Sequence, residues 1–184
     1  MEQNLDLISR EQEFSKWQTI NDTIMGGSSK AVCKVVKEGL SFQGVVVEEN
    51  GGFVSCLSPV FDPPLNLSEY SGIKLDLDGD GRTLKFAVSC EDQFSRFTEF
   101  FTGGIRWVTE VQTERSGKTC IKIPFKDLKP TIRAKPIPMP LKFNSFSIHQ
   151  FQLLHSKFGT SGNLNTGFKE GPFDILIRSL SAYI

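Results

Sequence analysis

An all-β fold of two antiparallel sheets, a β-sandwich or jelly roll, is predicted by three features of the sequence. Apolar and polar residues alternate with period two in many short runs, glycine and proline clusters separate those runs, and helical periodicity is almost absent. About ten strands with little helix are expected. The 184 residues include 39% hydrophobic and 23% charged residues, as in one globular domain large enough to hold its own core. Phenylalanine is unusually frequent, at 16 against two tyrosines and two tryptophans, which suits a thick pleated core.

Residues 2–16, with Leu5, Ile8 and Phe14, read as an N-terminal extension of one or two helical turns, ahead of a single β-sandwich domain over 17–184. Asn21-Asp22-Thr23-Ile24-Met25-Gly26-Gly27 follows Trp17 and reads as a shaped loop, neither strand nor helix. Two readings of it stand: a turn closing the end of a sheet, and a recognition loop on a rigid scaffold. Residues 31–36 and 40–47 read as a hairpin, with Lys37-Glu38-Gly39 as its turn. Glu48-Glu49-Asn50-Gly51-Gly52 is a second diglycine turn, entering a strand at Phe53. Pro59, Pro63 and Pro64 then break pairing, and 65–70 is a short connection. Ile73, Leu75 and Leu77 alternate with Lys74, Asp76 and Asp78; Leu84, Phe86 and Val88 alternate with Lys85, Ala87 and Ser89. With Gly79-Asp80-Gly81-Arg82 between them, these runs read as a hairpin. Further strands are expected over 96–102, 106–113, 118–124, 146–154 and 173–183, with Ser116-Gly117 as another hairpin turn. The segment 126–142 is basic and proline-broken, and 156–171 is a Gly-, Ser- and Asn-rich flexible loop.

Composition narrows function. Basic and acidic residues balance at 21 each, against the basic excess of a general nucleic-acid binder, so no nucleic-acid partner is expected. Cys33, Cys56, Cys90 and Cys120 have no C-x-x-C spacing and are expected as buried free thiols in a reducing compartment. No apolar run reaches the roughly 20 residues of a membrane span, and the N-terminus has neither signal-peptide nor transit character. A cytoplasmic location follows, with a mitochondrial or plastid one requiring that a transit segment has been removed. Asp76-Leu77-Asp78-Gly79-Asp80-Gly81 begins like an EF-hand, but Ala87 stands where the bidentate Glu belongs, leaving Asp78, Asp80 and Gly81 as a hairpin tip. His149 and His155, on one strand face, lack a third ligand. No nucleophile elbow or phosphate loop is present, so no catalytic residue, metal or cofactor is expected. Phe97 and Phe101, in a phenylalanine-rich run, and Lys129, Arg133 and Lys135, in the basic segment, are candidates for a partner surface or peripheral membrane contact. Core packing and a solvated connection are the alternatives for these two segments.

Several blocks together carry a resemblance. Trp17 with Asn21-Asp22-Thr23-Ile24-Met25-Gly26-Gly27-Ser28, Phe42-Gln43-Gly44, Glu49-Asn50-Gly51-Gly52-Phe53, Gly79-Asp80-Gly81-Arg82, Ile123-Pro124-Phe125-Lys126-Asp127-Leu128 and the closing Phe173 to Leu180 strand resemble the complex I intermediate-associated protein 30 family. The resemblance implies a galactose-binding-like β-sandwich. It also implies a non-catalytic protein-binding role in assembling a multisubunit membrane redox complex, respiratory or photosynthetic (thylakoid), with that complex's subunits or intermediates as partners. A carbohydrate-binding module is the alternative, with Trp17, Trp107, Tyr70 and Tyr183 as the aromatics on offer besides phenylalanine. A small enzyme using Asp22, Asp78, Asp80 and a histidine is a third. The two diglycine loops are expected to lie together, with Asn21 or Asp22 tying backbone groups between them. Asn21, Asp22, Met25, Gly26, Gly27, Asn50, Gly51, Gly52 and Phe53 thus form a candidate structural or recognition unit.

Overall fold

A computed structural model describes residues 4–91 and 104–184, which form two antiparallel sheets packed face to face. One sheet has the order β3 (Lys30–Val36), β4 (Gly39–Val46), β13 (Gly171–Tyr183), β6 (Gly72–Asp78) and β9 (Thr119–Pro124), with β1 (Asn4–Ile8) also on β13. The other has the order β11 (Lys135–Pro136), β10 (Lys129–Ile132), β8 (Arg106–Gln112), β7 (Thr83–Cys90), β12 (Ile148–Ser156), β5 (Phe53–Leu57) and β2 (Gln18–Asn21). The count exceeds the expected ten because β1, β2, β10 and β11 are too short to show a periodic pattern.

The period-two pattern explains which faces meet. Phe42, Ile73, Leu75, Leu77, Ile175 and Ile177 of the first sheet share a core with Val54, Phe86, Val88, Phe151 and Leu153 of the second. Phenylalanines pack side by side on each sheet's inner face: Phe42 meets Phe173 edge-on at 5.0 Å in the first, and Phe86 lies 5.7 Å from Phe151 in the second. Each such buried side chain contributes about 1.5–3 kcal/mol. The long β13 is the spine of the first sheet. It pairs with β6 on one side, and on the other with β4 over 171–177 and then β1 over 180–183.

Several expectations need correction. The turn 79–82 does not close a hairpin. β6 pairs with β13 and β9, whereas β7 pairs with β12 and β8, so these residues carry the chain between sheets. The segment around Ser116-Gly117 is likewise a crossover, from β8 to β9. Alternation specifies a half-buried strand but is silent about its neighbour. The two crossovers bond to each other, Gly81 N–H donating to Glu114 O at 2.7 Å and Thr113 Oγ1 to Arg82 O at 2.7 Å. Residues 4–8, expected as part of an extension, form β1, and a single helical turn follows, α1 (Glu11–Phe14). Ile8 and Phe14 are buried in the common core. Within 156–171, Asn165 Nδ2 donates to Thr83 O at 2.8 Å and Ser156 O at 3.0 Å, so this loop is tied to two strands. Cys120 is exposed, because β9 is an edge strand whose alternation turns it outward; Cys56 and Cys90 are buried and Cys33 is half-buried. Residues 96–102 lie outside the described residues, and with them Phe97 and Phe101.

His155 shows what the core imposes. It points inward from β12, fully buried, with Phe168 at 5.2 Å and Phe173 at 5.4 Å, and among the described residues neither ring nitrogen has a hydrogen-bond partner. Burial, and then the nearby Arg82 guanidinium, push its pKa down to about 4. A bulge between Ile148 and Gln150 breaks the alternation beside His149, which is half-buried. Unfolding frees the His155 imidazole to take a proton below about pH 6.5. Its contribution is therefore complete above that pH and declines toward pH 4, by about 3 kcal/mol. Urea unfolding across pH 4–7 should show this decline, and His155→Leu should flatten it.

Candidate functional site

The two glycine loops meet around one carboxylate. Asn21 ends β2, and residues 22–25 form a single 3₁₀ turn rather than an irregular loop. That turn buries the Asp22 side chain completely. Four donors converge on it. The Ser29 amide donates to Oδ1 at 2.9 Å, and the Ser29 hydroxyl to Oδ2 at 2.6 Å. The amides of Gly52 and Phe53 donate to Oδ2 at 2.7 and 3.3 Å. Ser29 Oγ in turn accepts the Val47 amide at 2.9 Å. Burial opposes the charge, but the hydrogen bonds from Ser29, Gly52 and Phe53 outweigh it and hold the carboxyl below its usual range.

The glycines divide into two kinds. Gly26 and Gly52 have φ of +89° and +98°, backbone that side chains rarely adopt. Gly27 and Gly51 make room: a Cβ at Gly27 would sit 2.4 Å from Asp22 Cγ, and one at Gly51 2.2 Å from Asp22 Oδ2. Asn50 precedes them with φ +55° at an exposed turn. Asn21 takes a lesser part, its Nδ2 donating to Ala31 O at 3.4 Å. The 3₁₀ turn leaves Ile24 and Met25 strongly exposed.

Beside this clasp, the outward face of the second sheet forms a groove of about 350 Å³. Strand register orders its floor in rows. Glu110, Lys85, Leu154, Ser55 and Ile20 lie opposite one another across β8, β7, β12, β5 and β2; Val108, Ala87, Gln152, Leu57 and Gln18 form the next row. Much of this floor is nearly inaccessible although it faces outward: Lys85 is only 5% exposed, and Ser55, Ala87 and Val108 are also buried. The walls explain this. They are Ile24 from the 3₁₀ turn, Arg133 and Ala134 from the β10–β11 turn, and Gly159 and Thr160 from the loop after β12. Gln152 Nε2 donates to Ser55 Oγ at 3.1 Å within the floor.

The remaining predicted residues are dispersed. Asp78 is held by Arg178, Nη2 donating to Oδ2 at 2.7 Å, and Asp80 pairs with Arg82, at the crossover that Gly81 completes with φ +66°. Asp22, Asp78 and Asp80 do not line the groove, and His155 is sealed in the core, so these residues form no shared cleft. Phe53 and Arg133 do line it; Lys129 borders an adjoining shallow depression, and Lys135 is exposed on β11. Trp17, Trp107 and Tyr183 are buried and Tyr70 is half-buried outside the groove, leaving Phe53 as its aromatic among the described residues. Lys85, Arg106, Gln152 and Ser55 escaped sequence reasoning. Lys85 stands at a wet-face position of an alternating strand, where a lysine raises no notice. Among the described residues, no group of His, Cys, Asp and Glu is arranged to hold a metal ion.

Removing the carboxylate leaves buried amides unpaired, so Asp22→Ala should cost about 3 kcal/mol. Because the folded pKa lies below the unfolded value near 4, the wild-type contribution is complete above about pH 4 and is lost as pH falls further. Comparing acid unfolding of wild type and Asp22→Asn checks this sign. Gly51→Ala should destabilise more than Gly26→Ala, whose cost is backbone strain of about 1–2 kcal/mol without a clash; thermal melts rank the two.

With the geometry in place, comparison with known proteins is informative. A Schizosaccharomyces pombe protein, the uncharacterized protein C9E9.15, is 24% identical over 183 residues, covering 94% of this chain and 78% of that protein. Among solved structures, the family 11 carbohydrate-binding module from Clostridium thermocellum, in complex with a beta-1,3-1,4-mixed-linked tetrasaccharide, superposes with a TM-score of 0.65 at 15% identity, covering 97% of this chain and 94% of the module. The agarase AgWH50C matches with a TM-score of 0.60 at 8% identity, over 98% of this chain and 24% of the agarase. These likenesses establish the jelly-roll, galactose-binding-like fold. Residues 7–177 match the family Complex I intermediate-associated protein 30 (CIA30), and the chain belongs to that family.

Proposed function

We propose that this protein is a non-catalytic binding module that assists the assembly of a multisubunit membrane redox complex, gripping polypeptide segments of its subunits or intermediates in the groove of the second sheet. Family membership supports the assembly role. The observation that carries the choice of surface is the groove: about 350 Å³, with an apolar floor of Leu57, Ala87, Val108 and Leu154 and the cations Lys85 and Arg106 set within it. A rigid sheet walled by loops binds at little ordering cost. Transient contacts of this kind need neither metal nor cofactor. Among the described residues, no helix is long and apolar enough to cross a membrane.

A carbohydrate-binding reading has one specific support, the likeness in fold to the family 11 module. Sugar sites commonly stack rings on exposed aromatics, and here Trp17, Trp107 and Tyr183 are in the interior. Affinity purification from native membranes separates the two readings. The expected outcome is capture of membrane-complex subunits and no hits on a glycan array; glycan binding without subunit capture reverses the assignment. Ile24→Glu, at a wall position that is 73% exposed, should leave the melting temperature unchanged and reduce subunit capture several-fold.

A further inference from the structure

Lys85 is the unexplained group of the groove. Its side chain rises from the middle of β7 into the floor, at 5% exposure, between Glu110 on β8 and Leu154 on β12. Among the described residues its ammonium has no hydrogen-bond or ion-pair partner. Glu110 is the acid that faces it across the strands, and Glu110 Oε1 is already engaged by the Thr160 amide at 2.9 Å. Burial accordingly lowers the amine's pKa, with Glu110 only partly opposing. The stem of Lys85 is enclosed while its ammonium keeps access to the groove, where an incoming anion offsets the cost of the burial around it. Among the described residues, its row and the next one place Ala87, Leu154, Val108 and Ser55 around it, with Arg106 and Arg133 also lining the groove.

We infer that the groove recognises a carboxylate on an extended, otherwise apolar segment of a partner polypeptide, with Lys85 as its central contact. The inference rests on the reading of this groove as the partner-binding surface. Charge complementarity selects the anion. Shape and chemistry select the polypeptide: the row from Glu110 to Ile20 crosses five strands, about 19 Å, the reach of roughly six extended residues. Ile20, Ile24, Phe53 and Leu57 at one end offer apolar seats for the flanking side chains. Arg106 lines the same face, and the Gln152 and Ser55 side chains supply polar contacts for the backbone. The carboxylate comes from an Asp or Glu side chain or from a C-terminus, and both present the same pair of oxygens to the ammonium.

The test uses the whole chain and three peptide arrays, the first two blocked at both ends and the third at its N-terminus only. One array carries a central Glu flanked by Leu and Val, a second replaces Glu by Gln, and a third has a free C-terminal carboxylate as its sole acid. Fluorescence anisotropy reads affinity, and ¹⁵N amide shifts report where binding occurs. The expected result is saturable binding of an acid-bearing array that shifts β7, β8 and β12, at least about tenfold weaker for the Gln array and for Lys85→Met. Met keeps the enclosed apolar stem without the charge, so Lys85→Met should stay folded and at least as stable as wild type, which a thermal melt verifies. Equal binding of Glu and Gln peptides, undiminished binding by Lys85→Met, or no saturable binding of any acidic peptide overturns the inference. Glucuronate binding in place of peptides overturns the polypeptide assignment. Subunit capture from membranes by wild type and Lys85→Met alike would leave the assembly role standing while removing carboxylate recognition.

Discussion

The buried Asp22 carboxylate ties together one corner of the sandwich. Its acceptors take amides at the start of β5, in the second sheet, and reach β3 and β4 of the first through Ser29 and Val47. A bare carboxylate is expensive to remove from water, and convergent amide donors are what make the charged form stable there. The constraint runs outward from this point. The backbone must close tightly around the carboxylate, which leaves no room for a Cβ at Gly27 or Gly51. The same closure sets the 3₁₀ turn, and the turn sets Ile24 as a wall of the groove.

The groove is a product of loops on a sheet rather than of the sheet alone. Its floor is the outward face of β8, β7, β12, β5 and β2, a face that in a simple sandwich would be wet. The β10–β11 turn, the 159–160 loop and the 3₁₀ turn rise around it, and that is why Lys85 and Ala87 are buried on an outward face. Two of these walls are anchored: the 3₁₀ turn by Asp22, and the 159–160 loop by Glu110 accepting the Thr160 amide, with the segment after it held by Asn165 on Thr83 and Ser156. Anchored walls present a preformed surface, so a bound segment does not have to order its site.

How much of this was legible residue by residue follows a pattern. The conformations of the glycine loops were readable, because Asn, Asp and Gly have local backbone preferences that act within a few residues. That the loops meet was readable only through the resemblance between ordered blocks. Which of Asn21 and Asp22 joins them was not: both are short polar acceptors, and only burial distinguishes the residue turned inward. The hairpins expected at 79–82 and at Ser116-Gly117 are crossovers, since a glycine turn between alternating strands fits either connection. Lys85 left no signal, because a lysine at a period-two polar position ordinarily lies in solvent, and loops distant in sequence are what cover it.

The sequence by itself determined the all-β class, the faces of most strands, the positions of the turns and the family. Those depend on local periodicity and turn chemistry, together with motif blocks that stand in order along the chain. Only the tertiary structure decided which strands are neighbours, that residues 4–8 complete the sheet on β13, that Asp22 is the clasp and that Lys85 lies in a walled groove. The physical reason is common to all four. Strand partners, burial and the environment of a charge are set by contacts between segments far apart in the chain, and alternation along one segment carries no information about which other segment will cover it.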